Sequence, residues 1–66
     1  METEDRADSR RVRMTKRLMQ DALIDLLSEK PIHKVTVREL CERADVNRST
    51  FYAHYASPYD ILSELE

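Results

Sequence analysis

Glycine is absent from all 66 residues. That absence excludes the phosphate-cradling loops, which need a glycine backbone close to the ligand. Cysteine occurs once, at Cys41, so no internal disulfide can form. No Cys/His cluster has zinc-ligand spacing, and no metal is expected. A lone cysteine fits a reducing cytosol. No apolar run approaches the ~20 residues of a membrane span. The charged N-terminus lacks the apolar segment of a secretory leader. The sequence also offers no paired carboxylates at a cleft and no nucleophile with a base. Together these absences predict a cytoplasmic chain with no cofactor, no membrane contact and no enzymatic activity.

A chain this short is one small domain at most. A single core of this size supplies roughly 3–5 kcal/mol. Comparable natural domains add a disulfide, a metal, a partner or near-ideal helix packing. The first two are excluded here, so a partner or further chain is expected.

Charged residues make up 36% of the chain, with a formal net charge of −2. The sum hides a pattern. Glu2, Glu4, Asp5 and Asp8 outweigh Arg6, and then Arg10, Arg11, Arg13, Lys16 and Arg17 follow without one acid between them. The segment from Asp60 to Glu66 is acidic again. A basic block thus sits between acidic ends.

Residues 1–12 have little apolar content and predict a mobile charged tail, leaving residues 13–66 as the folded domain. In "TKRLMQDALIDLLSEK", Met19, Ala22, Leu23, Leu26 and Leu27 recur at helical spacing on one face. Pro31 ends that helix, because the residue before a proline is pushed out of the helical region. "TVRELCERA" predicts a second helix, with Thr36 and Glu39 as a capping box and Val37, Leu40, Cys41 and Ala44 as its buried stripe. "DVN" is a tight turn, in which Asp45 tolerates left-handed backbone. A third helix, "RSTFYAHYA", is capped by Asn47 and turns Phe51 and Tyr55 inward. A fourth begins at "SPYDILSELE": Ser57 caps, Pro58 takes the first position, Asp60 the box position, and Ile61, Leu62 and Leu65 face the core. This last pattern has no stop signal, so the natural protein is expected to continue. No strand pattern competes. The expected fold is all-α: a three-helix helix-turn-helix domain plus the start of a fourth helix.

Helix, tight turn, helix is the layout in which one helix lies across a duplex backbone and the next puts its N-terminal residues against base edges. Suitable side chains open both helices: Thr36 and Arg38 on the second, and Asn47, Arg48, Ser49 and Thr50 on the third. Tyr52 and His54 follow, able to donate to phosphate. Each has a plainer reading. Arg48 is otherwise a surface arginine, Thr50 and Ser49 bond their own backbone, Tyr52 joins the core, and His54 is a surface histidine. Cys41 reads as a small core residue. Arg10, Arg11 and Arg13 are either a solvated charge run or a basic arm that reaches a phosphate or the minor groove.

"VTVRELCERADVNRSTFYAHYASPYDIL" resembles the DNA-binding domain of TetR-family transcriptional regulators. The matching stretches are Thr36-Val37-Arg38, Ala44-Asp45-Val46-Asn47 and Thr50-Phe51-Tyr52-Ala53-His54-Tyr55, with "TKRLMQDALIDLL" similar to the family's first helix. Three positions depart from the family pattern. Asp45 stands where the turn usually has glycine, and the glycine that usually ends the first helix is replaced near Pro31. Pro58 stands where a lysine often meets phosphate, which moves that contact to Tyr59 or removes it. The resemblance implies a DNA-reading regulator, most often a repressor, that binds a palindromic operator on double-stranded DNA as a homodimer. It also implies a C-terminal helical domain, absent from these 66 residues, that dimerises and takes a small-molecule effector. The competing reading is a helical protein–protein module that reuses the fold without reading DNA. Acidic Glu39, Glu42 and Asp45 near the third helix would favour it.

Overall fold

The computed structural model describes residues 10–66 with their side chains. The chain folds as α1 (Glu2–Leu27), a 3₁₀ turn (Ile32–Lys34), α2 (Val37–Ala44), α3 (Arg48–His54) and α4 (Pro58–Leu65). All elements are helical, as the sequence patterns predict. α1 packs against α2 and α4, while α3 is attached chiefly to α2.

The expected tail is replaced by helix, since α1 begins at Glu2. Residues 10–12 lie inside α1 and are exposed. No glycine or proline interrupts the segment, and Glu, Ala and Arg propagate a helix well once a packed turn nucleates it. Residue 1 and the side chains of residues 2–9 lie outside the described residues. At its other end α1 stops at Leu27, before Pro31 acts. Ser28, Glu29 and Lys30 form a closing turn, with the Glu29 and Lys30 N–H groups both donating to the Leu26 carbonyl at 2.9 and 3.0 Å. The 3₁₀ turn that follows falls in a stretch read from sequence only as a loop. Its role is to bring Val35 into the core, where it is buried.

The core is one cluster. Met19, Leu23 and Leu26 of α1 meet Leu40 of α2, Phe51 of α3 and Ile61 of α4, all fully or nearly fully buried. Each contributes about 1.5–3 kcal/mol by leaving water. Cys41 and Ala44 are buried as expected, and Val37 is only half-buried at the edge of the stripe. On α4, Ile61 is inside and Leu62 half-buried, whereas Leu65 is exposed, against expectation, because it lies on the side of the last turn away from the core.

Caps set the helix boundaries. The Thr36–Glu39 box is complete: the Thr36 hydroxyl accepts from the Glu39 N–H at 3.1 Å, and the Glu39 carboxylate accepts from the Thr36 N–H at 3.1 Å. Lys30 pairs with the same carboxylate, tying the first connection to α2. Arg43 binds Asp25 at 2.5 Å and Glu29 at 3.0 Å, which fastens α2 to the end of α1. Ser57 departs from expectation, since its hydroxyl makes no capping bond among the described residues. Asp60 reaches one residue further back and accepts from the Ala56 N–H at 2.7 Å. Pro58, at the first helical position, is buried, so the start of α4 is held by packing as well.

Asp45 closes α2 with φ 60° and ψ 44°. Left-handed backbone strains an L-residue, though aspartate tolerates it better than most. Asp45→Gly should therefore stabilise the fold by about 1 kcal/mol. In a chain of this length that raises the melting temperature by roughly 4–8 °C, which calorimetry can check.

Acid should weaken the same scaffold. Glu39 titrates below its ordinary value of 4.5, first because Lys30 bonds it and then through the Thr36 N–H. Glu64 is likewise lowered, first by the Tyr55 hydroxyl. Folded-state values below the unfolded ones mean this stability is complete above pH 4.5 and is lost as pH falls through the folded values. Thermal melts at stepped pH should stay level above about pH 5 and drop below it, and Glu39→Gln should drop less than the native chain.

Candidate nucleic-acid interface

The exposed side of α3 follows from how its ends are made. Asn47 caps it: its side-chain oxygen accepts from the Thr50 N–H at 2.8 Å. Phe51 is completely buried, which turns the opposite face outward. Arg48, Ser49, Tyr52 and Ala53 are exposed, and Thr50 and His54 are half-buried at the margins. Tyr52 is 57% exposed and rests edge-on against Phe51, with ring centroids 5.2 Å apart. The aromatic packing orients its ring while its hydroxyl remains in water.

The start of α2 lies on the same side of the turn. Arg38, Cys41, Glu42, Asp45, Val46, Asn47 and Arg48 line one shallow cleft between α2 and α3. Arg38 is exposed, and its Nε donates to Glu42 at 3.4 Å. Such an exposed pair is worth only a few tenths of a kcal/mol, so Arg38 can exchange this partner for another anion. Thr36 is exposed, but its hydroxyl is already used twice: it accepts from the Glu39 N–H and donates to the Glu39 carboxylate at 3.2 Å. Asn47 has spent its oxygen on the cap and keeps its amide N–H groups. Burial pushes the Cys41 thiol above its usual range, against the opposing pull of the Arg48 charge. It is a packing residue under the cleft.

Charge over this face is balanced. Arg38 and Arg48 oppose Glu42 and Asp45, while Glu39 is engaged by Lys30 and Thr36. The positive excess lies on α1, where Arg10, Arg11 and Arg13 are all exposed. Tyr59, on the first turn of α4, is 51% exposed. The cleft therefore gathers Arg38, Asn47 and Arg48. Ser49 and Tyr52 adjoin them on α3, and Tyr59 and the three arginines stand on other elements.

Two features of this region escape sequence reading. Ala53 shares the exposed face of α3. Its position four residues after Ser49 was the available signal. The second is Glu64, which bonds Tyr55 at the end of α3 from α4. Nothing in a local sequence window signals a pairing between those two residues.

Among the described residues, no helix is long and apolar enough to cross a membrane. Within the same residues no group of three His, Cys, Asp or Glu side chains is placed to hold a metal ion.

The family model for bacterial regulatory proteins of the tetR family matches residues 20–65. That range takes in the second part of α1 and all of α2, α3 and α4. An uncharacterized HTH-type transcriptional regulator of Bacillus subtilis (strain 168), YxbF, is 34% identical over 57 residues. Those residues are 85% of this chain and 15% of that relative's length. No solved structure gives a significant match. Because the family model covers more than half of the chain, the chain belongs to the tetR family of bacterial regulatory proteins.

Proposed function

We propose that this chain is the DNA-reading head of a transcriptional regulator, with α3 lying in the major groove of a duplex operator. The observation that carries this reading is the exposed row of Arg48, Ser49 and Tyr52 on a helix whose opposite side is anchored by Phe51. Arg48 contacts a base edge, guanine being the natural partner for its two parallel donors. Ser49 and Thr50 approach neighbouring bases, the threonine through its methyl group. Tyr52, His54 and Tyr59 donate to phosphates, as does the Asn47 amide left over from its cap.

α2 crosses the backbone. Arg38 trades Glu42 for a phosphate. Thr36 contributes the start of the helix more than its own hydroxyl, which the capping box holds. Arg10, Arg11 and Arg13 add phosphate contacts from α1, carried on a helix. In the whole protein a homodimer, formed through a further helical domain, sets two such heads on a palindromic site. A small-molecule effector acts on that domain, repression is the expected output, and the site of action is the cytoplasm. Regulators of this family are not enzymes, and this reading assigns the chain no catalytic step.

The balanced charge over α2 and α3 is the one observation that favours the protein–protein alternative. Selection of duplexes from a randomised pool, then binding of the winner and a scrambled control over a salt series, separates the two. Preference for the selected duplex is the expected result. Arg48→Ala should lose about 1–3 kcal/mol of that preference with little change on scrambled DNA. Replacing any one of Arg10, Arg11 or Arg13 by glutamine should weaken both duplexes alike and lower the log–log salt slope by about 0.9. Equal affinity for both duplexes, unmoved by Arg48→Ala, would assign the surface to a protein partner.

A further inference from the structure

α3 is seven residues long, too short to hold a direction by itself. Its first end is fixed by the Asp45 turn and the Asn47 cap, and its middle by Phe51. Those restraints lie near one end and one line of the helix, so they leave its inclination soft. What remains is Tyr55, the residue that closes α3.

The Tyr55 ring is buried, 5.9 Å from Phe51 between centroids, and its hydroxyl donates to Glu64 Oε1 at 2.7 Å. The same carboxylate accepts from Gln20 Nε2 at 3.3 Å and pairs through Oε2 with Lys16 Nζ at 3.2 Å. Lys16 Nζ also lies 5.4 Å from the centre of the Tyr55 ring. Both oxygens of one carboxylate thus gather donors from α1 and from the end of α3. Burial, then the bond to Glu64, pushes the Tyr55 phenol up to about 12, so it stays a donor at any physiological pH. Hydrogen bonds to an ionised acceptor are shorter and stronger than neutral ones.

We propose that Glu64 is a positioning residue for α3: from α4 it fixes the far end of the helix against α1, and so sets the direction in which Arg48, Ser49 and Tyr52 point. Glu64 touches no base or phosphate in this arrangement. Its influence on recognition passes through Tyr55. The effect on DNA rests on the reading of α3 given above, whereas the tether to α3 can be measured without DNA.

The test uses Glu64→Gln, Glu64→Ala and Tyr55→Phe in the chain, with amide hydrogen exchange and duplex binding as readouts. Exchange of the α3 amides from Phe51 to Tyr55 should quicken at least fivefold in Glu64→Ala and Tyr55→Phe. Amides of α1 and α2 should change less than twofold. Glu64→Gln, which keeps an acceptor but loses the charge, should fall between Glu64→Ala and the native chain.

Affinity for the selected duplex should fall at least fivefold in Glu64→Ala, with scrambled DNA little affected. Removing a negative charge would by itself strengthen DNA binding, so a loss separates positioning from simple electrostatics. α3 amides that exchange no faster in these variants than in the native chain would overturn the proposal. So would undiminished preference for the selected duplex. If the native chain itself selects no duplex, the DNA reading has failed, and the exchange result still decides whether Glu64 tethers α3.

Discussion

The burial of Phe51 is the interaction on which the domain depends. A seven-residue helix does not persist in water, because nucleation costs more than its few hydrogen bonds return. α3 exists because one aromatic ring docks it into the core cluster that also holds Met19, Leu23, Leu40 and Ile61. The same docking decides which side of α3 faces outward. Core and candidate interface are therefore two consequences of one packing event. Tyr52 illustrates the link, since it is exposed yet its ring rests on Phe51.

Polar closures finish what that ring begins. The Thr36–Glu39 box starts α2, Asp45 ends it in a left-handed turn, and Asn47 starts α3 two residues later. No glycine assists. An aspartate takes the strained backbone, at a modest cost that a domain of this size can bear only because the caps on either side are complete. Longer-range pairs then fasten helix to helix: Arg43 to Asp25 and Glu29, Lys30 to Glu39, and Lys16 with Gln20 to Glu64. Most of these are partly solvated, so each adds little energy alone. Their value is geometric. They join specific points on different segments of the chain.

The candidate interface has a matching economy. Its polar groups divide into those that hold the fold and those that remain free for a partner. Thr36 and the Asn47 oxygen belong mainly to the first kind, while Arg48, Ser49 and Tyr52 belong to the second. Because the acids of α2 and the turn offset Arg38 and Arg48, the face is close to neutral. Non-specific attraction to phosphate would then come from α1, and discrimination from α3. That division suits a surface whose specificity rests on contacts more than on charge.

Much of this was legible along the chain. Periodicity marked the apolar face of α1, since residues three and four apart share a side of any helix. The capping box, the Asn47 cap and the left-handed tolerance of Asp45 are local chemistry, complete within four residues, and each stands where the sequence places it. The extension of α1 back to Glu2 was not legible, because a polar segment without breakers forms coil or helix according to what it is joined to. Nor was the replacement of Ser57 by Asp60 as the group that accepts at the start of α4, since both residue types serve there.

What the sequence determined by itself was the presence of the four α-helices, the caps at Thr36 and Asn47 and most of the inward faces, because these arise from neighbours within a turn or two. What only the tertiary structure decided was how those helices are tied across the chain: Arg43 to two acids of α1, and Glu64 to Tyr55 and Lys16. Such pairs join residues up to 48 positions apart, and no local pattern specifies them. They become determinate only when the apolar core has brought their backbones within reach.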